Sequence, residues 1–109
     1  MFKISDGNKM SIVQGDTATF TISVDNYTFV EGDKAYFTVR KDTKDSPVEI
    51  QKVITEFNVH HFIIHLDKDS TNIPVGTYLY DIQLNLADGR VDTIVLPTKF
   101  TVLGGVTLD

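Results

Sequence analysis

The sequence contains no cysteine. That excludes a disulfide framework, a thiol nucleophile and a zinc site built on thiolates, and it permits folding in a reducing cytoplasm. Tryptophan is also absent, so a sugar-binding face would have to stack on Tyr or Phe instead. Basic side chains are in the minority. Ten Lys and Arg stand against fifteen Asp and Glu, for a formal charge of -5. A nucleic-acid backbone or an anionic membrane surface calls for a basic face, and none is visible. No apolar run approaches the length of a membrane span. The opening Met1-Phe2-Lys3-Ile4-Ser5-Asp6-Gly7 has no signal-peptide core, so the chain is expected to be made in a cytoplasm without the usual export signal.

What remains is an ordinary globular balance: 109 residues, 41% hydrophobic and 23% charged. It predicts one domain over residues 1–109 that buries roughly two-thirds of its unfolded surface. The dominant period is two. Thr17 to Asp25 alternates Ala18, Phe20, Ile22 and Val24 with Thr17, Thr19, Thr21 and Ser23, a half-exposed strand. Ala35 to Lys41 sets Ala35, Phe37 and Val39 against Tyr36, Thr38 and Arg40. Val48 to Thr55 carries Val48, Ile50 and Ile54 on one face. Val59 to Leu66 is apolar on both faces, with Phe62, Ile64 and Leu66 the stronger set. Thr77 to Leu86 sets Tyr78, Tyr80, Ile82, Leu84 and Leu86 against Leu79, Asp81, Gln83 and Asn85. Val91 to Leu96 and Lys99 to Leu103 follow, split by Pro97, which has no N–H for a ladder.

Turn residues separate these runs: Gly15-Asp16, Glu31-Gly32-Asp33, the polar loop Asp42 to Pro47, and Ala87-Asp88-Gly89-Arg90, a strong hairpin signal. Asp67 to Asn72 predicts at most one helical or 3₁₀ turn. Seven or eight short strands at this spacing predict an all-β, immunoglobulin-like antiparallel β-sandwich. Gly76-Thr77-Tyr78-Leu79-Tyr80 fits a tyrosine corner, in which the Tyr78 hydroxyl returns to backbone upstream. It reads equally as two core tyrosines on a strand.

Catalytic sets are missing. On a strand His61 and His65 share a face but stand roughly 13 Å apart, too far for one metal, so His60, His61 and His65 read as exposed or interface residues. Asp67-Lys68-Asp69 with Asn72 lacks the glycine and closing glutamate of a calcium loop. Asp25, Glu31 and Asp33 read as turn carboxylates. No serine sits in a Gly-x-Ser-x-Gly elbow, and Gly104-Gly105 leads into no phosphate-binding helix. Tyr27, Phe29 and Tyr36 are the aromatics open to a surface role, Phe29 and Tyr36 equally to the core. These readings assign no catalytic, cofactor or metal residue, and no enzyme activity is expected.

Several segments stand together in one order: Gly15-Asp16-Thr17 before a Phe-bearing strand, Phe37-Thr38-Val39-Arg40-Lys41, Gly76-x-Tyr78-x-Tyr80-Asp81-Ile82-Gln83-Leu84, Asp88-Gly89-Arg90-Val91-x-Thr93-Ile94, and Lys99-Phe100-Thr101-Val102 with Val106-Thr107 after it. This set resembles the N-terminal module of baseplate upper proteins from phages and prophages of Firmicutes, over roughly Met10 to Thr107. The resemblance implies an immunoglobulin-like sandwich with a structural role in the virion tail or baseplate. Its partners would be other phage tail and baseplate proteins, with a homo-oligomer open as well and no nucleic acid or membrane. Pro97-Thr98-Lys99 stands where family members often carry Gly. Members usually continue into a linker and an assembly region, whereas this sequence runs to Asp109, which implies a stand-alone tail accessory or a relict that only docks. The competing expectation is a bacterial Ig-like module that binds a cell-surface protein or glycan.

Overall fold

The computed structural model describes residues 3–4, 6–42 and 46–105. The middle of the Asp42–Pro47 loop, most of the opening heptapeptide's side chains and the closing Val106-Thr107 lie outside the described residues. The elements run β1 (Lys3–Ile4), a 3₁₀ turn (Asp6–Asn8), β2 (Met10–Val13), β3 (Ala18–Ser23), β4 (Lys34–Arg40), β5 (Val48–Ile54), β6 (His61–Leu66), β7 (Gly76–Asn85) and β8 (Val91–Leu103). The fold is all-β in two sheets. A curled six-stranded sheet has the order β1-β2-β8-β7-β4-β5, and β3 pairs with β6 in a second, two-stranded sheet.

The period-two residues point where the alternation predicts. Phe37, Val39, Ile82, Phe62, Ile64, Tyr78 and Tyr80 are buried between the sheets, together with Met10, Ile12, Phe100 and Val102. Phe37 is the centre of an aromatic group: its ring lies 5.8 Å from Phe20 on the small sheet, 5.5 Å from Tyr80 and 6.2 Å from Phe100. Such edge and tilted contacts add about 0.5–1.5 kcal/mol each beyond burial.

Two expectations about strands are corrected. β8 runs unbroken across Pro97 instead of dividing there. The reason is its register with β7. Tyr80 pairs with Thr98 and Ile82 with Val95, so Leu96 and Pro97 fall in a bulge opposite Asp81. On β8, β2 pairs only with Phe100–Leu103, so no ladder on that side needs a Pro97 N–H. Val48, expected on the buried face of β5, is 42% exposed. A register shift at Val39/Arg40 sets Val48 rather than Glu49 opposite Arg40 and turns it outward. β1 and β2 are additional. β2 is too short to alternate visibly, yet it joins the large sheet parallel to β8 while β1 lies antiparallel beyond it.

Polar contacts tie the loops to this frame. Asp33 is 2% exposed. One of its oxygens accepts from Tyr27 Oη and Val30 N, the other from Ala87 N in the β7–β8 hairpin. Burial alone would raise its pKa, but the two backbone amides and the Tyr27 hydroxyl hold it below the usual carboxylate range. The hairpin is the expected one: Leu86 N–H donates to Arg90 O at 2.8 Å, and Gly89 has φ 95°, a conformation that favours glycine. Tyr78 Oη donates to the Pro74 carbonyl four residues upstream, the hydrogen bond of a tyrosine corner. Tyr80 Oη reaches the carbonyl of Asn8, pinning the β1–β2 connection to β7. Thr71, fully buried, donates to Asp16 O at 2.6 Å, joining two turns.

Candidate interaction surface

The outward residues of β4 and β7 meet on the open face of the large sheet. Thr38 pairs with Asp81, Tyr36 with Gln83 and Arg40 with Leu79. Two adjoining grooves of about 330 Å³ each run across this face and share Thr38, Arg40 and Asp81. One is walled by Leu79 and by Pro97, which the β8 bulge sets over Asp81. The other extends over Tyr36, Gln51, Gln83 and Asn85. Leu96, beside Pro97, is 71% exposed.

The chemistry of this face is mixed. Arg40 donates to the Ser46 carbonyl, which orients its guanidinium. Burial pushes the Asp81 carboxyl above the usual carboxylate range, against the pull of Arg40. Gln51 Nε2 donates to Thr38 Oγ1 at 3.3 Å. Asn85 Oδ1 is buried without a hydrogen-bond partner among the described residues. A cation, a carboxylate, three side-chain amides and apolar Leu79 and Pro97 line the two grooves.

A second feature is the gap between β5 and β6, which belong to different sheets. It holds a cleft of about 470 Å³ lined by Val53, Ile54, Thr55, Glu56, Phe57, Asn58, Phe62 and Ile63. Phe57 stacks on Phe29 at 4.2 Å, and both set ring edges against Phe62. Phe29 is partly buried and packs against the core. The Tyr27 ring is covered by the Arg90 guanidinium at 5.8 Å and by the edge of Phe29.

The histidines lie where strand spacing puts them, and they do not converge. His65 Nδ1 bonds Thr19 Oγ1 at 2.8 Å, His61 Nε2 lies 2.8 Å from Asn58 Nδ2, and His60 Nδ1 is 2.9 Å from the Tyr27 carbonyl. Among the described residues no group of three or more His, Cys, Asp or Glu could hold a metal ion. Asp67 is a local turn carboxylate, accepting from the Ser70 hydroxyl and amide, which hold it below the usual range. Asp33 also reads as a turn residue, through Val30, but its bond to Ala87 is long-range. Sequence reasoning did not anticipate that bond, or the Arg40–Asp81 grooves, because both depend on how distant strands register. The one signal for the grooves was Pro97, an interruption in an otherwise regular alternation.

Set against protein-family models, curated proteins and solved structures, the chain shows no match in any of the three comparisons.

Proposed function

We propose that the chain is a non-enzymatic docking module of a phage or prophage tail baseplate, built as an immunoglobulin-like sandwich. The docking reading is carried by one observation: the paired grooves on the open face of the large sheet, where Arg40, Asp81, Leu79 and Pro97 offer charge, hydrogen bonding and apolar area together. Interfaces of this mixed kind join proteins that bind without chemistry. The immunoglobulin-like reading is supported by the Tyr78 bond to Pro74 and by a sheet in which β7 lies between β4 and β8. The baseplate assignment rests on the ordered motifs from Gly15-Asp16-Thr17 to Lys99-Phe100-Thr101-Val102.

A second reading, a bacterial Ig-like module for a cell-surface protein or glycan, is favoured by the exposed Thr19, Thr21, Ser23 and His65 of the small sheet. Mass spectrometry of purified tail particles from an induced lysogen that encodes the chain separates the two. Stoichiometric recovery with baseplate proteins is the expected result. Absence from particles, with the chain on the cell surface, would overturn the baseplate assignment in favour of the second reading.

A further inference from the structure

Two backbone bonds show which way the peptide groups of the small sheet point. Val24 N–H donates to His60 O at 2.8 Å, continuing the register in which Ser23 opposes His61. Opposed residues of an antiparallel ladder alternate between bonded and non-bonded pairs. Ser23/His61, Thr21/Ile63 and Thr19/His65 are then the non-bonded pairs, and their N–H and C=O groups turn away from the partner strand. Asn58 N–H, reaching His61 O at 2.9 Å, fits the same alternation. Among the described residues no backbone group bonds to the outward N–H or C=O of Thr19, Thr21 or Ser23.

This edge lacks the devices that keep strand edges apart. From Ala18 to Ser23 there is no charge, no proline and no register shift. The free edge of β5 differs: it carries Glu49 and Lys52, and its pairing with β4 is shifted. The β3 sequence is also complementary to itself. Laid antiparallel on a second copy about Thr21, the outer face opposes Thr21 to Thr21, Thr19 to Ser23 and Thr17 to Asp25. The inner face opposes Phe20 to Ile22 and Ala18 to Val24. No like charges meet, and hydroxyl pairs of this kind stabilise antiparallel neighbours. A one-residue slip would set the Thr face against the Phe face.

We propose that β3 is the seam of a two-fold symmetric homodimer, in which two small sheets join as a four-stranded sheet β6-β3-β3-β6. The three outward-facing pairs supply about six backbone hydrogen bonds, and the contact is isologous, so it closes at two copies. The seam is narrow and each copy carries a formal charge of -5, so association is weak, with Kd on the order of 100 µM, and strengthens with salt. This inference stands independently of the baseplate assignment.

Sedimentation equilibrium of the full chain at concentrations up to about 1 mM tests it. The mass is expected to rise from the 12.2 kDa of one chain towards twice that value. Thr21→Pro removes an N–H that points away from β6, and Thr21→Lys sets two cations against each other at the symmetry axis. Both are expected to weaken the dimer by about a hundredfold. Glu49→Gln, on exposed β5 and with the same change in net charge as Thr21→Lys, leaves it unchanged. Far-UV circular dichroism verifies that each variant is folded, and Thr21→Lys decides the matter if the proline variant is not. A wild-type chain that stays monomeric, or a dimer that survives Thr21→Lys, overturns the proposal.

Discussion

The two sheets place their polar groups differently. On the large sheet, Tyr78, Tyr80 and nearby Asp33 are buried and bond backbone groups: Tyr78 the local Pro74, Tyr80 the distant Asn8, and Asp33 both the local Val30 and the distant Ala87. On the two-stranded sheet the hydroxyls and imidazoles stay outside, and only apolar side chains enter the core. The large sheet is thus specified by directional bonds as well as packing, the small one by packing and a single ladder. A mutation in the first should disorder loops at a distance, and one in the second should loosen mainly its own layer.

The largest expected effect comes at the contact between the two. Phe37→Ala removes the fully buried ring that touches Phe20 on one sheet and Tyr80 and Phe100 on the other. Urea unfolding should show a loss of about 3–5 kcal/mol. Ile64→Ala, on the small sheet, should cost about 2–5 kcal/mol, with the extra loss of amide protection confined to β3 and β6. Equal spread of exchange through β7 and β8 in both variants would break the comparison.

Asp33 tests the directional half. Asp33→Ala strands two backbone amides and the Tyr27 hydroxyl, and should cost about 2 kcal/mol. It should also change the response to acid. The carboxyl has its pKa lowered by folding, so its stabilising contribution is complete above the unfolded value near 4 and is lost as pH falls through the lower folded value. The wild type should therefore lose stability below about pH 4 more steeply than Asp33→Ala. Parallel acid-unfolding curves would show that the carboxylate charge does not stabilise this junction.

How far such features could be read beforehand differs between the sheets in the same way. The alternation of Thr17 to Asp25 and Thr77 to Leu86 foretold strands and faces, since burial on one side of a pleat is a local property. The Asp88-Gly89 hairpin was legible because it is closed by near neighbours, while the Tyr78 corner stood level with two plain core tyrosines until the bond to Pro74 decided it. Asp33 to Ala87 and Tyr80 to Asn8 were not legible, because no local pattern encodes which distant backbone group will be within reach. β2 escaped notice because four residues are too few to show a period. The grooves depend on a bulge, and Pro97 marks its place in the sequence without showing that the strand continues past it.

A paired substitution isolates one steric contact in the loops of the large sheet. Gly32 and Gly89 have nearly the same backbone, φ 96° and 95°. A Cβ at Gly89 meets nothing within 4 Å, whereas one at Gly32 lies 3.1 Å from the Ala87 Cβ. Gly89→Ala should cost about 1 kcal/mol from the left-handed conformation alone. Gly32→Ala should cost more, because Ala87 must shift while its amide remains bonded to Asp33. Thermal unfolding of both variants, and of Gly32→Ala with Ala87→Gly, measures the difference. Restoration of the Gly32 variant to the Gly89 level is the expected result.

The smallest effects separate the two tyrosine hydroxyls. Tyr78→Phe and Tyr80→Phe each delete one bond to a carbonyl, and each should cost about 1 kcal/mol. Their consequences should differ in place. Tyr78 closes a loop of its own neighbourhood, while Tyr80 holds Asn8, far away in the chain. Loss of the Tyr80 hydroxyl should therefore speed proteolysis near the 3₁₀ turn, and loss of the Tyr78 hydroxyl should not. Alkali gives an independent check. Burial raises the Tyr80 pKa to about 12. Its contribution is then complete below the unfolded value near 10 and lost as pH climbs from there to about 12. Tyr80→Phe should flatten the alkaline fall in stability over that interval. An unchanged slope together with unchanged proteolysis would mean that β2 is held in place by Met10 and Ile12 in the core, without help from the hydroxyl.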